Sequence, residues 1–305
     1  MISLSERFIT HTKDVYGEQG TEWLKTFPHL LQTCQEQWKL SLQEPFPNLS
    51  YNYVQSVTTK TGEQCVLKLF INKEELSREM EALQLFDGNG MARLIDANME
   101  AGALLLEHLS PGHALSTIES DEEATAIAAS VMKQLNNAVS TQHSLPCLEG
   151  LAYEYKKLRK HFNGSTGPIP AHLVEKAELL FPALLQTIQQ PVLLHGDLHH
   201  DNILCADDTW KAIDPKGLIG EVEYETVPFL YNYLLNQSSP LDVLNRRINQ
   251  FVDILHLNRE RILCWGLCHS IISAWWFLED NIDEWKDRVL CAQLFDELMT
   301  NSHTL

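Results

Sequence analysis

Apolar positions recur at helical spacing through the opening forty residues of the chain. Residues 3–16 read as one helix, halted by Gly17. Residues 21–40 read as a second, with Trp23, Leu24, Phe27, Leu30, Leu31, Cys34 and Trp38 forming its apolar side. Pro28 is placed to bend or split that second helix. The pattern then changes. Residues 51–57 and 64–70 are short β-rich runs around Thr58-Thr59-Lys60-Thr61-Gly62, which predicts a hairpin. Residues 73–86 return to helical spacing through Leu76, Met80, Leu83 and Phe86, and Gly88-Asn89-Gly90 ends the run. Residues 93–98 and 103–108 predict two further strands.

Ser110-Pro111-Gly112 breaks the strands, and Ser120-Asp121-Glu122-Glu123 is a capping box that opens a helix to about residue 139. From there the chain reads as mostly helical, apart from strand-like runs at 192–194, 203–206 and 210–213. The pattern predicts an α+β protein in two lobes: residues 1–109, strand-rich behind leading helices, and residues 110–305, larger and mainly helical. The connection falls near 107–112.

Charge narrows the partners. Lys and Arg number 23 against 41 Asp and Glu, a formal net charge of −18. A nucleic-acid surface needs a basic face, so nucleic acid is not an expected partner; anionic lipid is disfavoured for the same reason. An acidic surface could favour a cationic small molecule, but more often it simply keeps a cytosolic protein soluble. Seven cysteines without a C-x-x-C pair read as reduced thiols in a cytoplasmic protein. Cys264 and Cys268 share a helix face, where core packing explains them better than a soft metal does. The first twenty residues have no apolar signal-like core. Residues 262–278 approach membrane length but carry His269, Ser270 and Ser273, which predicts a buried core helix and no membrane partner.

The chemistry concentrates in His195-Gly196-Asp197-Leu198-His199-His200-Asp201-Asn202, between two apolar runs, and in Asp214-Pro215-Lys216-Gly217 shortly after. Phosphoryl transfer needs a carboxylate to take the acceptor's hydroxyl proton. It also needs an amide oxygen for a metal and a second carboxylate between metal and phosphates. Asp197, Asn202 and Asp214 supply those three groups, and Asp-x-x-x-x-Asn matches the kinase catalytic-loop spacing.

These residues resemble the aminoglycoside and small-molecule antibiotic kinases of the protein-kinase-like fold, in particular the streptomycin/hydroxyurea phosphotransferase branch. Arg261-Ile262-Leu263-Cys264-Trp265 and Trp275-Trp276-Phe277-Leu278-Glu279-Asp280 fit that branch too. The likeness runs from Phe46 to about Asp280. It implies ATP as co-substrate, Mg²⁺ as cofactor, Asp197 as base, and Asn202 and Asp214 as metal ligands. It implies that Lys68, on the second strand-like run, holds the α/β-phosphates and pairs with Glu79, with Glu75 one turn earlier as the other candidate. Glu107, His108 and Leu109 become the adenine-binding hinge. The turn over the phosphates falls at Asn48–Tyr53, with Ser50 and Tyr51 as its candidates, and departs from the family in having no glycine. Asp201 stands where a small residue is expected, either as a further metal contact or facing water.

The acceptor side is read from acidic residues. Glu221 and Glu223, with Glu225 beside them, and Glu279-Asp280 at a helix end are candidates for an acceptor pocket; a solvated acidic loop is the plainer alternative. Trp265, Trp275, Trp276 and Phe277 read as helical core. His195 and His199 stand i,i+4 with His200 adjacent, which admits a metallohydrolase. Against it, Gly196 and the flanking strands predict a loop in which His195 braces and His199 and His200 make local hydrogen bonds. A catalytically silent nucleotide-binding protein of the same fold is the other alternative. The expectation that survives these comparisons is a small-molecule kinase.

Overall fold

The structure is a computed structural model that describes residues 4–47, 49, 51–135 and 143–302. Its chain divides into two compact units, residues 1–112 with 205–209, and residues 113–204 with 210–305.

The first unit begins with α1 (Glu6–Trp38), capped by Ser5, whose hydroxyl accepts from the Phe8 amide. The two predicted helices run on as one element, broken at Gly17. That residue adopts φ 55° and ψ −125°, a conformation open to glycine and strained for other residues. Pro28 sits inside the helix without a second break. Trp23, Phe27, Leu31 and Cys34 repeat every three or four residues and are buried. They pack with Tyr53, Val57, Leu67, Leu69, Ala103 and Leu105 in one apolar core.

Strand β1 (Ser41–Pro45) was not evident from the pattern; it pairs antiparallel with β2 (Tyr53–Thr58). β2 pairs with β3 (Gln64–Leu69) around the predicted hairpin. α2 (Lys73–Phe86) starts at Asn72, whose side chain accepts from the amides of Glu74 and Glu75, and ends at Asp87 in the left-handed region, one residue before Gly88. β4 (Leu94–Asn98) and β5 (Ala103–Glu107) complete a five-stranded sheet in the order β1-β2-β3-β5-β4.

Beyond the short strand β6 (Pro111–Ala114), the second unit is helical. α3 (Asp121–Leu135) is capped by Ser120, which accepts from the Glu123 amide. The rest of its expected span, to 139, lies outside the described residues. α4 (Ala152–His161) and α5 (Ala171–Gln186) follow. β7 (Val192–Leu194) pairs with β10 (Leu218–Gly220), and β8 (Ile203–Ala206) forms a hairpin with β9 (Thr209–Ala212), of which residues 205–209 belong to the first unit. The remaining helices are α6 (Val222–Glu225), α7 (Val227–Tyr231), α8 (Pro240–Leu255), α9 (Arg259–Glu279) and α10 (Trp285–Ser302).

α9 is the helix of membrane-like length, and most of it is buried inside this unit against α5 and α10. Arg247 on α8 is buried and donates to Asp121 and to the carbonyls of Phe229, Leu230 and Asn232. Burial alone would raise the Asp121 carboxyl, but its hydrogen bonds from Arg247 and Arg246 hold it below the ordinary range.

Candidate active site

In the first unit, strand alternation turns Lys68 onto the sheet face that meets α2. Its Nζ lies 2.8 and 2.7 Å from the two carboxylate oxygens of Glu79, the pairing that the sequence register predicts. Both residues are only 5% exposed, and Nζ also stands 4.8 Å from the Phe70 ring centre. Such a buried pair needs both partners, because either charge alone is costly in a low-dielectric interior.

The hinge candidates leave β5. Glu107 still belongs to the ladder opposite Cys65, and its carboxylate accepts from the Arg93 amide at 2.9 Å. Its side chain is therefore committed to the sheet. His108 is half-buried and Leu109 buried. Tyr51 is exposed, with its ring against His11 at 5.2 Å between centres. Ser50 lies outside the described residues.

In the second unit, one two-stranded ribbon roots both polar loops. β7 runs into His195–Asn202, and β10, paired with β7 through Leu218 opposite Leu194, receives the chain after Asp214. Hydrogen bonds stitch the loops together. The Lys216 amide donates to the His195 carbonyl at 2.8 Å and the Ile213 amide to the Asn202 carbonyl at 2.9 Å. His195 Nε2 lies 2.7 Å from the Ile213 carbonyl, and its Nδ1 accepts from the Asp197 amide at 3.2 Å. That pattern requires a neutral imidazole with its proton on Nε2. Burial enforces it, pulling the His195 pKa down to about 4. Gly196 takes φ 82° between these contacts, where a side chain would be strained.

Glu225 fixes the same loop from α6. It is 2% exposed and accepts from the backbone amides of both His195 and Gly196, the latter at 3.0 Å. Burial raises its carboxyl to about 7, against the pull of those two donors. Asp197, one residue on, keeps 36% of its side-chain surface accessible. Burial within the unit raises its carboxyl and Asp214 adds to this, while His199, Lys216 and Arg288 draw it back. Asn202 donates from Nδ2 to the Asp197 carbonyl at 2.9 Å, which leaves its Oδ1 as the acceptor of that amide. Asp214 has φ 65°, a left-handed conformation that Asp tolerates, and Lys216 Nζ lies 3.4 Å from its Oδ2.

The three histidines do not converge. His200 stacks on Phe229 with ring centres 3.9 Å apart, and His199 Nδ1 accepts from the Asp201 amide at 3.2 Å. Each imidazole has a separate local role, so the trio offers no common metal position. Asp201 accepts from the Tyr233 hydroxyl through both oxygens, at 3.1 and 2.9 Å. Its carboxylate anchors a turn.

The acidic run after Asp214 is corrected by the structure. Glu221 accepts from Arg261 Nε at 2.8 and 2.7 Å and from Trp265 Nε1 at 2.7 Å. Glu223 is buried and accepts from the Asn258 amide at 3.1 Å. Around a short helix, successive acids point to different inner partners, so neither lines an acceptor pocket. Glu279 and Asp280 are exposed at the end of α9. Trp265 and Trp275 are buried core, whereas Trp276 is 36% exposed. The loop-anchoring role of Glu225 carried no signal that set it apart from its acidic neighbours.

Comparison with known proteins gives this geometry its relatives. Residues 37–281 match the family described as aminoglycoside/hydroxyurea antibiotic resistance kinase. The chain is 27% identical over 280 residues to a streptomycin 6-kinase of Streptomyces griseus, covering 87% of this chain and 88% of that one. It is 30% identical over 271 residues to a hydroxyurea phosphotransferase of Kitasatospora aureofaciens, covering 87% and 77%. In fold, it is similar to an aminoglycoside phosphotransferase crystallised with ADP and hygromycin B. That likeness has a TM-score of 0.64 at 11% identity and covers 88% of this chain and 97% of the other. A choline kinase from Streptococcus pneumoniae gives a TM-score of 0.62 at 14% identity, covering 90% and 99%. The protein-kinase-like fold expected from the sequence is thus the one observed.

Proposed function

The chain belongs to the aminoglycoside/hydroxyurea antibiotic resistance kinase family, and from that premise we propose how its own residues carry out the transfer. It is a small-molecule kinase with ATP as co-substrate and a hydroxyl group as acceptor. In our reading Asp197 accepts the acceptor's hydroxyl proton as the oxygen bonds to the γ-phosphorus and the bond to ADP breaks. A carboxylate whose pKa burial has raised is a stronger base than an ordinary one. Lys68, fixed by Glu79, holds the α/β-phosphates.

The donor set suits Mg²⁺, which prefers a few hard oxygens. Asp214 offers a carboxylate and Asn202 an amide oxygen, oriented because its Nδ2 is held by the Asp197 carbonyl. Bound there, the ion would neutralise phosphate charge during transfer. The observation that carries this reading is the bracing of the two loops through neutral His195, which sets Asp197, Asn202 and Asp214 in fixed register. Streptomycin and hydroxyurea, which relatives' names carry, are the first acceptors to try. The test is an ATP-consumption screen with both, together with other aminocyclitols and simple sugars, read by phosphorus NMR. The expected result is one phosphorylated acceptor whose formation Asp197→Ala abolishes. Equal product from the variant would overturn the base assignment.

A further inference from the structure

With Glu221, Glu223 and Glu225 engaged elsewhere, the charge that α10 brings to the Asp197 side of the second unit is a cation. Arg288 holds its guanidinium 4.0 Å from the Tyr231 ring centre and 5.5 Å from that of Phe277. Among the described residues no carboxylate pairs with it. Its Nε is buried without a hydrogen-bond partner, and its polar neighbour is the Cys291 thiol.

The surface beneath it is rigid. The Tyr231 hydroxyl lies 3.1 Å from His269 Nε2, and His269 Nδ1 lies 2.6 Å from the Tyr224 hydroxyl. The rest of that segment clamps the catalytic loop, Phe229 stacking on His200 and Tyr233 donating to Asp201. Arg288 is therefore placed by the same aromatic stretch that backs the loop, close enough for its charge to be felt at Asp197. A guanidinium has five donors and no acceptor, and although Arg288 is only half-buried, leaving its buried Nε unpaired is costly.

We propose that Arg288 is a specificity-determining residue of the acceptor site, donating to a carbonyl or carboxylate oxygen beside the hydroxyl that is phosphorylated. The favoured acceptor is a small neutral or anionic hydroxy compound, and polycations are disfavoured. This rests on Asp197 being the acceptor-facing base. The net charge of −18 does not reverse the preference, because exposed charges beyond about 8 Å are screened at physiological ionic strength.

The experiment measures acceptor binding by calorimetry, with Mg²⁺ and a non-hydrolysable ATP analogue present, and turnover by steady-state kinetics. Wild type, R288Q and R288K are compared with hydroxyurea, glycolate and streptomycin. Wild type should bind hydroxyurea and glycolate more tightly than streptomycin. R288Q should weaken the first two about tenfold to a hundredfold, the usual worth of a hydrogen bond to a charged group, and leave streptomycin unchanged or improved. R288K, keeping the charge without the planar fork, should fall between. If R288Q does not fold, R288K is judged by the same ratio. Tighter streptomycin binding by wild type, no binding of either carbonyl compound, or an unchanged ratio in the variants would each overturn the inference. None of these touches the kinase reading, which fails only if wild type phosphorylates no acceptor.

Discussion

Replacing Glu225 with glutamine perturbs a single buried carboxyl that grips the catalytic loop, and its consequences can be worked through with sign. Burial raises this carboxyl from 4.5 to about 7. Each pKa unit is worth about 1.4 kcal/mol, so the ionised form burdens the folded state by about 3 kcal/mol. Because the folded pKa is raised, the native protein binds more protons than the unfolded chain between pH 4.5 and 7. The contribution of this group to stability is full below pH 4.5 and is lost as pH rises through 7. Glutamine cannot ionise and lacks that slope. It also offers one acceptor oxygen to the two loop amides of His195 and Gly196, at a cost of about 1–3 kcal/mol for the donor left over. Denaturant unfolding of both proteins from pH 5 to 8 should therefore show Glu225→Gln clearly less stable at pH 5. The gap should narrow by about 2–3 kcal/mol toward pH 8, closing or reversing there. Titrating groups remote from Glu225 are common to both proteins and cancel in the difference; Asp197, whose charge adds to the rise of Glu225, is the coupled one. Turnover should fall by up to about 10²-fold at every pH, since Asp197 follows Gly196 directly and a shift near 1 Å has that effect. Parallel stability curves across the range would refute the assignment of Glu225 as a buried, loop-holding acid.

Asp197→Ala should lower kcat by about 10²–10⁴-fold, with nucleotide Kd changed less than about tenfold, measured by single-turnover kinetics and calorimetry. Asp214→Asn should shrink the rise in melting temperature given by Mg²⁺ and ATP; a wild-type response would remove Asp214 from the metal site. Glu221→Ala should destabilise by about 1–3 kcal/mol, removing the carboxylate partner of half-buried Arg261 and the acceptor of the buried Trp265 Nε1, and should not alter acceptor KM. Burial lowers His200 to about 3, so its contribution to stability is present above pH 6.5 and is lost as pH falls toward 3. His200→Phe, keeping the stack on Phe229, should flatten the acid unfolding curve by one proton.

How much of this was legible in sequence depends on whether a residue's partner is near in the chain or far. Helix α2 is foreseen to the residue because its apolar period and the glycine stop after it are local; its Asn72 cap emerged only in the structure. The hairpin of β2 and β3 is equally visible, and so is the brace by His195, whose partners are confined to two neighbouring loops. Strand β1 escapes because Ser41-Leu42-Gln43-Glu44-Pro45 carries one apolar residue and a proline, as an edge strand is free to do. The acidic run is the sharper case. Glu221, Glu223 and Glu225 look interchangeable along the chain, yet one meets Arg261, one the Asn258 amide and one the catalytic loop. Those partners lie about 30–40 residues away, and only the rotation of a four-residue helix decides which acid finds which.

Arg288 shows the same limit from the cationic side. A lone arginine between Asp287 and Val289 on an ordinary helix has no local mark of function. Its meaning comes from Tyr231 and Phe277, contributed by two other helices. The machinery of transfer is thus written in short contiguous stretches, where backbone geometry must be exact to a fraction of an ångström. The choice of acceptor is written in side chains scattered over α7, α9 and α10, which can vary without disturbing the loops. That division lets chains of one fold keep a single reaction while their acceptors diverge.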